Sequence, residues 1–193
     1  IVAAILAGLL FGFILGVPTL KLRRDYIGLI TFGFSGAIVS LITSAATITG
    51  GSQGLLGVPR QLTPPMAFSS LIIMIILVFN FKKSKYGRQC IAIKSDELAA
   101  AAMGVNVPRI KLITFMLAGA ITSFAGALFV YFTTFIDPSG WGFLRSAEWI
   151  IIVFFGGMGS LTGAVLAGVS LGLLSEYLRL FSQYRIIIYS III

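Results

Sequence analysis

The sequence predicts an all-α integral membrane protein of about six transmembrane helices, with a short cytoplasmic helix between two spans and one broken or re-entrant segment. Three observations carry that expectation. Hydrophobic residues make up 58% of the 193 positions and charged residues only 10%, where a soluble domain has about 45–50% and about 25%. The mean hydropathy is +1.06. Long apolar runs alternate with intervals dense in glycine, proline and basic side chains, leaving no room for a separate soluble domain. Residues 1–193 therefore read as one transmembrane domain. It is expected to be truncated at both ends, because it opens on Ile1 and stops inside the apolar run Ile186–Ile193.

Composition also excludes several function classes. The net charge of +8 resides in basic residues beside apolar runs, where they act as topology signals and anionic-lipid contacts rather than as a nucleic-acid surface. There is no histidine and one cysteine, Cys90, so a disulfide framework or a Cys/His metal site within one chain is excluded. No cofactor is expected.

The first span covers 1–16. Gly8, Gly12 and Gly16 recur every four residues, which lines small residues along one face and lets another helix approach its backbone. Pro18 is expected to end this span, and Lys21, Arg23 and Arg24 follow it. The second span runs from about Tyr26 to Ile48. Its Gly36, Ser40 and Ser44, with Thr31 and Thr43, suit either helix–helix contact or a solute pathway. The interval 49–65, TGGSQGLLGVPRQLTPP, is dense in turn formers. Its GGSQG lacks the lysine of a phosphate-cradling loop.

A third span covers Met66–Phe81 and a fourth Leu112–Ile136, the latter holding Gly119, Ser123 and Gly126. A second turn-rich connection, DPSGWGFLRSAE, spans 137–148, and Trp141 and Trp149 suit a membrane interface. The apolar run to Phe155 is too short to cross, and Gly156, Gly157 and Gly159 break it just before Ser160. Such a break is tolerated at membrane depth where protein or a water-filled cavity surrounds it. These four residues and Glu148 are therefore pathway candidates. Glu148 could meet the ammonium of a zwitterionic solute, but Arg145 lies three residues earlier, at ion-pairing distance on a helix. Ala164, Gly168 and Gly172 form another small-residue stripe. A polar patch with Glu176, Arg179 and Arg185 precedes the last apolar run.

Seven of the fourteen basic residues fall between Lys82 and Lys111, whereas the interval 49–65 has only Arg60. The positive-inside rule thus puts 82–111 and Lys21–Arg24 in the cytoplasm and the loops 49–65 and 137–148 outside. Whether 149–178 crosses once with a kink or twice as short helices is left open by the charges. Within 82–111, Ser95 or Asp96 can cap a helix of about eight residues, roughly 12 Å long. Glu97 suits its first turn, Ala99–Ala102 favour it, and Gly104 can end it. Pro108 fits the first turn of the next helix. A topology anchor has no use for this alanine-surfaced peg.

The run ELAAAAMG, Glu97–Gly104, resembles the cytoplasmic coupling segment of ATP-binding cassette (ABC) importer permeases. The fuller GRQCIAIKSDELAAAAMGVNVPRIKLITF is similar to the permeases for branched-chain amino acids, the LivM-like group. Four more stretches agree in the same order: Gly16–Phe34, Thr49–Leu55, Gly126–Ile150 and Val153–Gly168. The resemblance implies a transport subunit of the bacterial inner membrane, not an enzyme. It would work with a second homologous permease, two cytoplasmic ABC ATPase subunits and a periplasmic binding protein. Arg88, Asp96, Glu97, Ala101, Ala102 and Gly104 would then belong to the segment seated on the ATPase. Leu98 departs from the Glu-Ala-Ala that opens the motif elsewhere, and urea and amide permeases share much of the pattern. A secondary transporter is the other reading. It would need ion-coupling acids inside spans, and only Glu148 approaches that position.

Overall fold

The computed structural model describes residues 1–20, 24–157 and 159–178. Lys21, Arg23, Arg179, Arg185 and the apolar run expected as a last span lie outside these residues. The described residues fall into two compact units, one of Ile1–Ser139 and one beginning at Gly140.

In the first unit, α1 (Val2–Thr19) continues through Pro18 rather than ending before it. Proline in a helix removes one N–H and crowds the carbonyl four residues earlier. In this last turn the helix closes past the proline all the same: the Leu20 N–H reaches the Gly16 carbonyl at 3.2 Å, and the buried Thr19 hydroxyl donates to it at 2.8 Å. Next come α2 (Arg24–Ser44) and the one-turn α3 (Ala46–Thr49). A short 3-10 turn (Gly51–Gln53) leads into β1 (Leu55–Leu56).

Then follow α4 (Pro64–Lys83), α5 (Lys85–Ser95), α6 (Glu97–Ala102), α7 (Val107–Thr133) and β2 (Phe135–Ile136). β1 and β2 pair antiparallel, Leu55 opposite Ile136 and Leu56 opposite Phe135, a small ribbon that an all-α expectation omits. Gly54, at φ +72°, presses against the Ile136 carbonyl there, where a Cβ would collide.

The closest helix pair is α1 on α7. Gly8 meets the Gly119 carbonyl and Ser123, a Cβ on Gly12 would lie 2.7 Å from the Phe115 carbonyl, and Gly16 faces Leu112. Rising residue numbers on α1 meet falling numbers on α7, so the two are antiparallel and the Thr19 end of α1 lies beside the start of α7. The glycine stripe of the first span is thus a backbone contact surface. The α2 stripe of Gly36, Ser40 and Ser44 is not: Gly36 has no neighbour within 4 Å of where a Cβ would stand, and Ser40 and Ser44 are exposed. The α2 hydroxyls of Thr31, Ser35 and Thr43 donate to carbonyls of their own helix.

Among the described residues, four helices are long and apolar enough to cross a membrane: Val2–Thr19, Tyr26–Ser44, Pro64–Lys83 and Val107–Thr133. The protein is a multi-pass membrane protein. At 27 residues, α7 is about 40 Å long, longer than the roughly 30 Å hydrocarbon core. It starts at Val107, five residues before the expected start of that span, and its first turn belongs to the polar interval.

The second unit holds a 3-10 turn (Pro138–Trp141, shared with the end of the first), α8 (Phe143–Gly156) and α9 (Leu161–Leu178). A Cβ on Gly156 would lie 2.7 Å from the Ala164 Cα, and Ile152 approaches Gly168. Residues therefore pair in opposite order along α8 and α9. The chain turns back at the glycines as two short helices.

Candidate functional site

The polar interval folds into a platform of α5, α6 and the first turns of α7. Ile93, Ala100, Val107 and Ile110 form its buried cluster, with Cys90 and Val105 packed against it. Each joint has a local cause. Ser84 ends α4 and starts α5: its N–H reaches the Asn80 and Phe81 carbonyls, and its hydroxyl accepts the Gly87 N–H. Gly87 is buried against the Phe81 and Lys82 carbonyls with no space for a Cβ. This tight corner, together with α5, is the part of the platform the sequence reading missed; the turn-forming Ser84 and the Gly87 after it were its only signal.

Asp96 terminates α5 and caps α6, its carboxylate accepting the Leu98 and Ala99 N–H groups at 2.8 and 3.0 Å. Ser95, the alternative cap, is the last residue of α5 and donates to the Ile91 carbonyl. The peg helix accordingly has six residues rather than about eight. At its other end Gly104 takes φ +82°. The Gly104 N–H bonds the Ala101 carbonyl, and the Val105 N–H bonds the Ala100 carbonyl. This is a Schellman arrangement with an apolar residue tucked back into the cluster. Asn106 caps α7 through the Arg109 N–H, with Pro108 in the first turn.

The predicted coupling residues lie together on this platform, with different jobs. Arg88 donates to the Lys83 carbonyl at 2.8 Å, closing the end of α4. Glu97 pairs with Lys111 at 2.7 Å, bolting the start of α6 to the first turns of α7. Ala100 is turned into the cluster, while Ala101 and Ala102 are exposed. Beside them stand two large apolar side chains that the sequence reading did not count as site residues, Leu98 at 83% and Met103 at 85% exposure. The peg thus presents Leu98, Ala101, Ala102 and Met103 outward on a fixed support.

The pathway candidates lie in the second unit. Glu148 is half-buried and pairs with Arg145 at 2.7 Å, as the i, i+3 spacing suggested. It precedes Gly156 by eight residues, about 12 Å along α8, so the two are not neighbours. Gly157 and Gly159 take φ +85° and +102°. The Ser160 hydroxyl accepts the Gly163 N–H at 3.1 Å and so caps α9. Among the described residues no group of three or more Cys, Asp and Glu side chains gathers as a metal site.

Comparison with known proteins follows the same line. Residues 1–193 match the family model described as "Branched-chain amino acid transport system / permease component". The chain is 30% identical over 210 residues to the high-affinity branched-chain amino acid transport system permease protein LivM of Escherichia coli K12, covering 91% of this chain and 49% of that one. It is 28% identical over 185 residues to the probable LivM of Methanocaldococcus jannaschii, covering 86% and 52%. It is 26% identical over 150 residues to LivH of E. coli K12, covering 78% and 48%. The chain spans about half the length of these curated relatives. No solved structure gives a significant match.

Proposed function

Because the chain belongs to the permease-component family of branched-chain amino acid transport systems, we propose that it is a membrane-spanning subunit of an ABC importer for branched-chain or related hydrophobic amino acids. ATP is hydrolysed by two separate cytoplasmic ATPase subunits, since the chain has no G-x-x-x-x-G-K-[ST] loop of its own. E. coli K12 has both a LivM and a LivH permease among the relatives, which favours a second homologous subunit as the partner across the pathway. A periplasmic binding protein delivers the solute. In this reading the platform faces the cytoplasm of a bacterial inner membrane, and the loops 49–65 and 137–148 face outward. The short helices α8 and α9 form the broken segment at membrane depth.

The observation that carries this reading is the peg: Leu98, Ala101, Ala102 and Met103 exposed on a helix held at both ends. Closure of the ATPase groove pushes α6. The Glu97–Lys111 pair and the Ile93–Ile110 cluster pass the push to α7, and the glycine contact makes α1 move with it. That is rigid-body gating between inward- and outward-open states.

The test is a complex reconstituted with its ATPase and binding protein. Met103→Arg, which alters an exposed side chain and no internal contact, is expected to lower solute-stimulated ATP hydrolysis and leucine uptake at least tenfold, a loss of about 1.4 kcal/mol of coupling. Membrane insertion should be unchanged. Undiminished coupling in both Met103→Arg and Leu98→Asp would remove α6 as the docking element.

A further inference from the structure

We propose that the corner between α4 and α5 binds the phosphate headgroups of anionic lipids through Lys82, Lys83, Lys85 and Arg88. All four are exposed, and they fall within seven residues of a stretch that carries no acid between Asp25 and Asp96. The two acids of the platform lie at the other end of α5 and are engaged there, Asp96 by two backbone N–H groups and Glu97 by Lys111. Three of the last four carbonyls of α4, which would repel an anion, are occupied: those of Asn80 and Phe81 by Ser84, and that of Lys83 by the Arg88 guanidinium. The N-terminal, positive end of α5 opens at the same corner, adding a helix dipole to the four cations.

Placement selects a lipid rather than an acidic protein. α4 has 20 residues and none of them is buried, with Phe68, Ile72, Ile76 and Phe79 all exposed. It is an apolar rod about 30 Å long, the thickness of the hydrocarbon core, so its lysines emerge at headgroup level. The Lys83 ammonium lies 4.3 Å from the centre of the Phe79 ring, its stem lying back along the apolar helix as at a membrane interface. The three lysines lie at the opposite end of α5 from the Leu98–Met103 surface of the peg, with Arg88 the one residue shared with the expected ATPase segment, and lipid binding there does not depend on transport.

The purified chain, placed in phosphatidylcholine nanodiscs doped with phosphatidylglycerol, should retain phosphatidylglycerol selectively when bound lipid is counted by native mass spectrometry. The K82Q/K83Q/K85Q variant should lose retention by about fivefold per lysine. The K82R/K83R/K85R variant, which keeps the charge, should retain it and thereby separates charge from folding. Arg60→Gln, in the loop at the far end of α4, should change nothing. Equal retention of the two lipids by the wild type, or full retention by the glutamine variant, would overturn the proposal. So would cross-linking that places a protein partner on Lys85 in the absence of any lipid preference.

Discussion

Gly104 and Gly54 hold backbone angles that side-chain-bearing residues avoid, φ +82° and +72°, yet their surroundings differ. Around Gly104 the space for a Cβ is open, so Gly104→Ala meets only the left-handed backbone penalty, about 1–2 kcal/mol. At Gly54 the Cβ would also collide with the Ile136 carbonyl. Gly54→Ala is therefore expected to lower the thermal unfolding midpoint in detergent more than Gly104→Ala does. Equal shifts would mean that the ribbon does not hold Gly54 against Ile136. At the same scale, Asp96→Ala removes the cap of α6 at a cost of about 1 kcal/mol, and Asp96→Asn keeps most of it. Amide exchange at Leu98 and Ala99 should quicken in the first variant only. Both Asp96 and Gly104 were legible in the sequence because caps and left-handed ends act through neighbours two to five positions away. The roles of Glu97 and Arg88 were not. The partner of Glu97 lies fourteen residues on, and Arg88 reaches back around a corner that no pattern of charges announces.

Between elements, the same signal led to opposite outcomes. Small residues recur at four-residue spacing in both α1 and α2, but only the α1 stripe meets a helix within the described residues. Spacing defines a face; what covers the face is a non-local fact, set by where α7 returns. A leucine at Gly8 would have to enter the Gly119 backbone and Ser123. Gly8→Leu should therefore destabilise the protein by about 1–3 kcal/mol or more through overpacking, whereas Gly36→Leu on the open face of α2 should leave it within about 0.5 kcal/mol. Comparable losses at the two sites would show that α2 is as tightly packed as α1. The glycine break after α8 was read correctly as a break, and Gly156 lies against Gly163 and Ala164 where the chain turns back. Glycine on both sides lets two backbones touch, so the chain can reverse within four residues.

At the scale of the molecule, the architecture has two ends, and internal contacts assign loops to each without reference to charge. The ribbon ties the loop before α4 to the residues after α7. The platform sits at the opposite end of both helices, and the antiparallel contact with α7 brings the end of α1 to that same end. The basic interval and the Thr19 end of α1 therefore lie at one end of the first unit. Two exposed positions test this separation, Gln61 before α4 and Met103 on the peg. In a Cys90→Ser background, where the new hydroxyl can keep the contact with Thr114, Gln61→Cys and Met103→Cys should react with a membrane-impermeant maleimide from opposite sides of oriented vesicles. Gln61→Cys should react in right-side-out vesicles and Met103→Cys in inside-out ones. If both label from one side, α4 does not cross the bilayer, and neither the peg nor the lysine corner stands where the fold requires. If the sides are opposite but exchanged, the crossing stands and the cytoplasmic placement of the ATPase contact fails, because Leu98 and Met103 would then face a compartment with no ATP to drive them.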